Sequence, residues 1–170
     1  FTYDLQYIGW DAAIAACQAG QADGMIAGAS ITEERIKNGW TFSEGYYDAT
    51  QGMAVAKNSD IKSFEEMKGK KVAVKNGTMS NQYAESIKDE YGFTITYFED
   101  SPTMYQAVIN GTAVACFEDF SVIGWAIKND NVALKTVGEV VKPCYYGFAV
   151  KKGKNAELIE MFDKGLENIK

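Results

Sequence analysis

The chain has 170 residues, 46% apolar and 24% charged, the balance of an ordinary globular protein with room for one domain or two small lobes. A formal net charge of -6 argues against nucleic acid and anionic membrane surfaces as partners. No apolar run approaches the roughly 20 residues of a membrane span, and Cys17, Cys116 and Cys144 with no histidine argue against metal sites, thiol redox motifs and imidazole-based catalysis.

In chain order, Phe1 to Ile8 alternates Phe1, Tyr3, Leu5 and Tyr7 against Thr2, Asp4 and Gln6, which predicts a strand. Asp11 to Ala19 reads as a helix capped by Asp11 and ended by Gly20. Asp23 to Gly28 reads as a short buried strand, and Thr32 to Lys37 as a helix with Thr32 as N-cap. Gln51 to Ala56 is a strand, and Ser63-Phe64-Glu65-Glu66 is a capping box opening a short helix that stops near Gly69. Lys71 to Val74 is a strand that delivers Lys75-Asn76-Gly77-Thr78 to a helix over Met79 to Tyr91, with Gly92 as its stop. Phe93 to Phe98 is a strand, and Pro102 opens a helix over 102–109 that Gly111 ends. Val114 to Phe117 is a buried strand and Ser121 to Lys128 a helix. Val132 to Val137 and Tyr146 to Val150 are strands, and Ala156 to Ile169 is a helix with an apolar stripe of Leu158, Ile159, Phe162, Leu166 and Ile169. Strands alternating with helices predict an α/β fold with mostly parallel sheets, in which ligands gather beyond the carboxyl ends of strands.

Three loops that follow strands carry the chemistry. In Gly28-Ala29-Ser30-Ile31-Thr32-Glu33-Glu34-Arg35 the glycine admits close backbone approach, and Arg35 offers a guanidinium fork for a carboxylate. The competing reading of Arg35 is a solvated helix charge paired with Glu33 or Glu34, and Thr32 is explained by capping alone. Lys75 to Ser80 joins a strand to a helix whose first N–H groups form an anion site, although Asn-Gly is also a plain turn signal. Glu118-Asp119, after the apolar Val114 to Phe117, suits an ammonium or a cap for the helix from Ser121. Trp10 is either a core aromatic or a ring stacked on the aliphatic part of a ligand. A cationic fork, amide donors and carboxylates together complement an α-amino acid. Cys17 and Cys116 read as small buried apolar residues, and all three thiols are expected reduced.

The chain resembles the polar amino-acid solute-binding proteins of ABC transporters, and is most similar to glutamine-binding ones. The motifs are Asp23-Gly24-Met25-Ile26-Ala27-Gly28, Ser30 to Arg35, Phe42-Ser43 with Tyr46-Tyr47, Val72 to Thr78, Asn110-Gly111, Phe117-Glu118-Asp119 and Tyr146 to Val150. The resemblance implies a two-lobe periplasmic-binding-protein fold that closes like a clamshell, with 1–48 and 146–170 in lobe 1 and 49–145 in lobe 2. It also implies a ligand-binding set. Arg35 would hold the α-carboxylate with the amides of Ser30 and Thr78, beside Met79. Asp119 would hold the α-ammonium with the Gly28 carbonyl and the Ser30 hydroxyl. Trp10 would pack on the ligand side chain, Lys75 would reach its oxygen, and Glu118 would receive an amide N–H₂. Glutamine satisfies both Lys75 and Glu118.

The family's opening strand and helix, about 40–60 residues by the size of one α/β unit, and a final helix lie outside the chain. Lobe 1 is therefore expected to be incomplete, with a complementing chain or a domain swap as its remedy, and the chain to be a mature fragment of an extracytoplasmic protein. The expected function is capture without catalysis or cofactor, with an amino acid as ligand and a membrane permease as partner. A ligand-sensing receptor domain of the same fold, a small-carboxylate dehydratase and an interaction module are the rival readings.

Overall fold

A computed structural model describes residues 2–169 and, within that span, the side chains of all but 139–143. Its elements, in chain order, are α1 (Trp10–Ala19), α2 (Glu33–Lys37), β1 (Trp40–Phe42), β2 (Tyr47–Ala56), a short 3-10 helix (Glu65–Met67), β3 (Lys71–Lys75), α3 (Met79–Tyr91), β4 (Thr94–Phe98), α4 (Ser101–Ile109), β5 (Ala115–Asp119), α5 (Phe120–Asn129), β6 (Leu134–Tyr146), β7 (Ala149–Lys151) and α6 (Ala156–Glu167). The chain divides into two compact units: Phe1–Asp48 with Cys144–Lys170, and the uninterrupted stretch Ala49–Pro143.

In the first unit β1 and β7 pair antiparallel, from Trp40 opposite Lys151 to Phe42 opposite Ala149. A core of Cys17, Met25, Ala29, Trp40 and Ala149 lies between this ribbon and α1. Gly20 ends α1 in the left-handed region at φ 75, where its N–H reaches the carbonyls of Ala16 and Cys17. That is a glycine stop of the expected kind. Asp11 does not cap this helix, because α1 begins at Trp10 and Gly9 holds the N-cap position without a side-chain bond.

Two expected strands are corrected here. Residues 2–8 form no strand despite their alternation, and Tyr3 and Tyr7 are exposed. Alternation alone does not make a strand: the ladder needs a partner, and none pairs with this segment among the described residues (Phe1 lies outside them). The Asp23–Gly28 strand shrinks to one bridge, Met25 opposite Ala149, with a second at Ser30 opposite Tyr146.

The second unit is built on a five-stranded sheet in the order β4-β3-β5-β2-β6. β3 runs parallel to β4 and β5, while β5 runs antiparallel to β2. The sheet is thus mixed rather than mostly parallel, because the entering strand β2 is laid against the reverse direction of β5. The period-2 alternation sorts side chains between two cores. Met53, Val55, Val72, Val74, Ala115 and Phe117 face the α3 side, where Tyr83 and Ala84 cover them. Ala54, Ala73 and Cys116 face the opposite side, under Met104, Tyr105 and Val108 of α4 and Ile123 and Ala126 of α5.

The local signals act as the residue types dictate. Thr78 caps α3 by accepting the Asn81 N–H at 3.2 Å, and Gly92 closes it at φ 68. Asp100 caps α4 by accepting the Thr103 N–H at 2.8 Å. Only half of the expected capping box forms: Glu66 accepts the N–H groups of Lys62 and Ser63, and the chain then makes a single 3-10 turn instead of an α-helix.

Candidate functional site

In the first unit, Gly28 sits at φ 65, its N–H donating to the Tyr46 hydroxyl at 3.1 Å. A Cβ there would lie 3.5 Å from the Tyr146 ring, so the backbone conformation rather than crowding selects glycine. Two residues on, Ser30 is buried, and its hydroxyl accepts the Cys144 thiol at 3.6 Å. Thr32 starts α2 by accepting the Arg35 N–H at 3.2 Å, which fixes where Arg35 leaves the helix. The guanidinium turns back on its own loop: Nη1 donates to the Ser30 carbonyl at 2.8 Å, and the carbon lies 5.3 Å from the centre of the Trp10 ring. Arg35 is therefore stacked and anchored rather than waving in solvent beside Glu33 or Glu34, which are exposed. Trp10, Arg35, Trp40 and Phe42 line a pocket of about 20 Å³, room for about one water.

In the second unit the carboxyl ends of β3 and β5 lie side by side. Alternation sends neighbouring residues to opposite faces, so Glu118 and Asp119 do not act as a pair. Glu118 joins Cys116 on the α4 side. It is 2% exposed, and its Oε2 accepts the Ser101 hydroxyl at 2.7 Å and the Tyr105 hydroxyl at 3.4 Å. Its Oε1 accepts the Asp119 N–H at 3.1 Å. Lys75, at the end of β3, reaches the same group: Nζ donates to the Ser101 hydroxyl at 2.9 Å and lies 3.7 Å from Glu118 Oε2. Burial pushes the Glu118 carboxyl above its ordinary range, with the Lys75 charge and the Ser101 bond pulling the other way. The Tyr105 phenol is pushed up as well, first by burial and then by Glu118.

Asp119 lies on the α3 side, opposite Gln51 in the β2–β5 register. Gln51 Nε2 donates to Asp119 Oδ1 at 2.5 Å, and the Ser80 hydroxyl donates to Gln51 Oε1. Asp119 occupies the N-cap position of α5 yet makes no side-chain cap bond, so capping does not explain it. Thr78 and Met79 stand where β3 hands over to α3, with the Thr78 hydroxyl donating to the Lys75 carbonyl at 2.7 Å.

Within the first unit the structure thus brings together Trp10, Ser30 and Arg35, with Gly28 two residues away. Within the second it brings Lys75 to Glu118, and Asp119 into contact with an element reaching Ser80, one residue beyond Met79. Gln51, Ser101 and Tyr105 were missed. Gln51 reads as one polar residue in an apolar strand. Ser101 and Tyr105 read as ordinary members of a helix start, because only the β3–β5 pairing brings them to Glu118. Among the described residues no His, Cys, Asp or Glu cluster could hold a metal ion, and no helix is long and apolar enough to cross a membrane.

A family model described as bacterial extracellular solute-binding proteins, family 3, matches residues 1–170. The ABC transporter glutamine-binding protein GlnH of Bacillus subtilis is 37% identical over 142 residues, covering 82% of this chain and 50% of that protein. Among solved structures, an ancestral arginine-binding protein bound to glutamine is 37% identical with a TM-score of 0.85, over 98% of this chain and 73% of the other. Substrate binding domain 2 of Lactococcus lactis GlnP, in its open conformation, is 42% identical with a TM-score of 0.62, over 96% and 70%. The chain spans about two fifths to two thirds of the length of the curated relatives it matches.

Proposed function

Because the chain belongs to the bacterial extracellular solute-binding proteins of family 3, with their α/β fold, we propose that it binds a polar L-amino acid, glutamine first, and presents it to an ABC transporter outside the cytoplasm. In this reading no bond of the ligand is made or broken. Arg35 takes the α-carboxylate, together with the N–H groups of Ser30 and Thr78 and the start of α3 at Met79. Asp119 takes the α-ammonium with the Gly28 carbonyl and the Ser30 hydroxyl, Trp10 packs on the aliphatic part, and Lys75 reaches the side-chain oxygen.

The observation that carries the choice of glutamine is the Lys75–Ser101–Glu118 cluster. A lysine ammonium held against a buried carboxylate offers donors with little net charge, which favours a neutral amide oxygen over a second cation. Glu118 enters this reading in a different role from the one expected of it. Buried and already accepting from Ser101 and Tyr105, it acts through Lys75 rather than on a ligand N–H₂.

Arginine is the competing ligand, supported by the arginine-binding relatives: a Bacillus subtilis protein of that name aligns over 99% of this chain. The deciding experiment is calorimetric titration of the chain with glutamine, arginine, histidine and glutamate, with Arg35→Ala as control. Tightest binding to glutamine, and a loss of about 2–5 kcal/mol in Arg35→Ala, are expected for a ligand carboxylate deprived of its cationic partner. Tighter binding of arginine than of glutamine would overturn the choice of ligand, and unchanged affinity in Arg35→Ala would overturn the carboxylate assignment.

A further inference from the structure

We infer that Gln51 is a positioning residue: it holds the Asp119 carboxylate in one orientation and couples it to the first turn of α3. The acceptor proposed for a ligand ammonium and the helix start proposed for a ligand carboxylate then form one rigid piece of the second unit. The inference rests on the reading of Asp119 as the ammonium acceptor.

The chemistry of the three groups leaves one arrangement of protons. A carboxylate only accepts, so the Gln51 amide must turn its N–H₂ toward Asp119, where Nε2 stands 2.5 Å from Oδ1. Oε1 then faces Ser80, whose hydroxyl must donate to it. Both Gln51 and Ser80 are fully buried, so neither can exchange these bonds for water without opening the core.

The position itself argues that the amide is there for orientation. Gln51 shares its sheet face with Met53 and Val55, which fill the same core with apolar atoms alone. An apolar residue at 51 would serve packing equally well and avoid the desolvation of an amide. What it would lose is the grip on Asp119, which sits where β5 ends and α5 begins. Pairing across the register places the two side chains as direct neighbours, so the grip requires no detour of the backbone.

The test uses Gln51→Met and Gln51→Leu, each of which removes the donor toward Asp119 and the acceptor for Ser80 with an apolar side chain of similar size. In the ligand-free chain, three-bond NMR couplings report the χ1 rotamer of Asp119. Calorimetry then compares L-glutamine with the monoamide of glutaric acid, which keeps the carboxylate and the amide and lacks the ammonium. A single Asp119 rotamer is expected in the parent chain and an averaged one in both variants. Glutamine affinity should fall at least 10-fold, while that of the monoamide changes less than 3-fold. A single rotamer retained in a folded variant, or equal losses for both ligands, overturns the inference. Should Gln51→Met not fold, Gln51→Leu carries the same two readouts. If the parent chain binds no ammonium-bearing ligand, the proposed function falls, and the rotamer measurement still decides the role of Gln51.

Discussion

Lys75→Met strands a carboxylate, and its cost should depend on pH in a direction the structure fixes. The Lys75 side chain is 18% exposed and that of Glu118 3%, with 3.7 Å between Nζ and Oε2. Removing one partner of a fully buried pair costs about 3–5 kcal/mol, and the residual exposure of Lys75 places this case nearer 2–3 kcal/mol. That figure applies while Glu118 is charged. Its carboxyl is raised in the folded protein, chiefly by burial, so the folded state holds the proton more tightly than the unfolded chain. The stability from this proton is fully present below the unfolded carboxyl range and is lost as pH rises through the folded value. Lys75 opposes the rise, so deleting it lifts the carboxyl further and lets a proton replace the missing cation in acid. Urea unfolding followed by circular dichroism should therefore show a loss of about 2–3 kcal/mol at pH 8 and a smaller loss at pH 5, read from midpoints at unchanged slope. Adding Glu118→Gln should recover most of the loss at pH 8. Equal losses at the two pH values would refute the account, since they would show that no charge is being stranded.

Three further outcomes follow from the same structure. Thr78→Ala removes the acceptor for the Asn81 N–H and should lower stability by about 1 kcal/mol in thermal unfolding, with no such change in Thr78→Ser. Gly28→Ala meets open contact with Tyr146 but must hold a left-handed backbone, at about 1–2 kcal/mol; a neutral result by urea unfolding would show that φ 65 is relaxed without loss. Cys17 and Cys116 are buried with thiols pushed up by desolvation, whereas Cys144 is half-buried. A thiol reagent at pH 8 should accordingly label one cysteine quickly in the native chain and all three in denaturant, and rapid labelling of Cys116 would contradict the core packing.

What the sequence disclosed follows the range of the forces involved. α3 is legible to its terminal residues, because Thr78 and Gly92 are local signals that act within one turn. The same holds for Thr32 ahead of α2 and for Gly20 after α1. Pairing is another matter. The alternation of residues 2–8 could not announce that it lacks a neighbouring strand, and β1, three residues long, is too short for any period to show. The candidate site divides along the same line. Arg35, Lys75 and Asp119 could be named from residue type and position after strands. That Glu118 and Asp119 part to opposite faces follows from the period of a strand, once β5 is known to run through Asp119 instead of ending at Phe117. The roles of Gln51, Ser101 and Tyr105 arise only from neighbours brought by the sheet and by α4, across separations of 13 to 68 residues from Glu118 and Asp119.

The pairing of β1 with β7 has a consequence for the order of events during synthesis. The whole of the second unit lies between these strands in the chain. As the polypeptide emerges from the ribosome, residues 49–143 can find every partner within their own stretch and collapse first. The segment carrying Gly28, Ser30 and Arg35 must wait, its ribbon half-made, until residues 149–151 appear. The segment translated before the second unit is thus native only after it, and a holdase chaperone would be expected to engage nascent chains stalled before residue 149 and to release those stalled well beyond it.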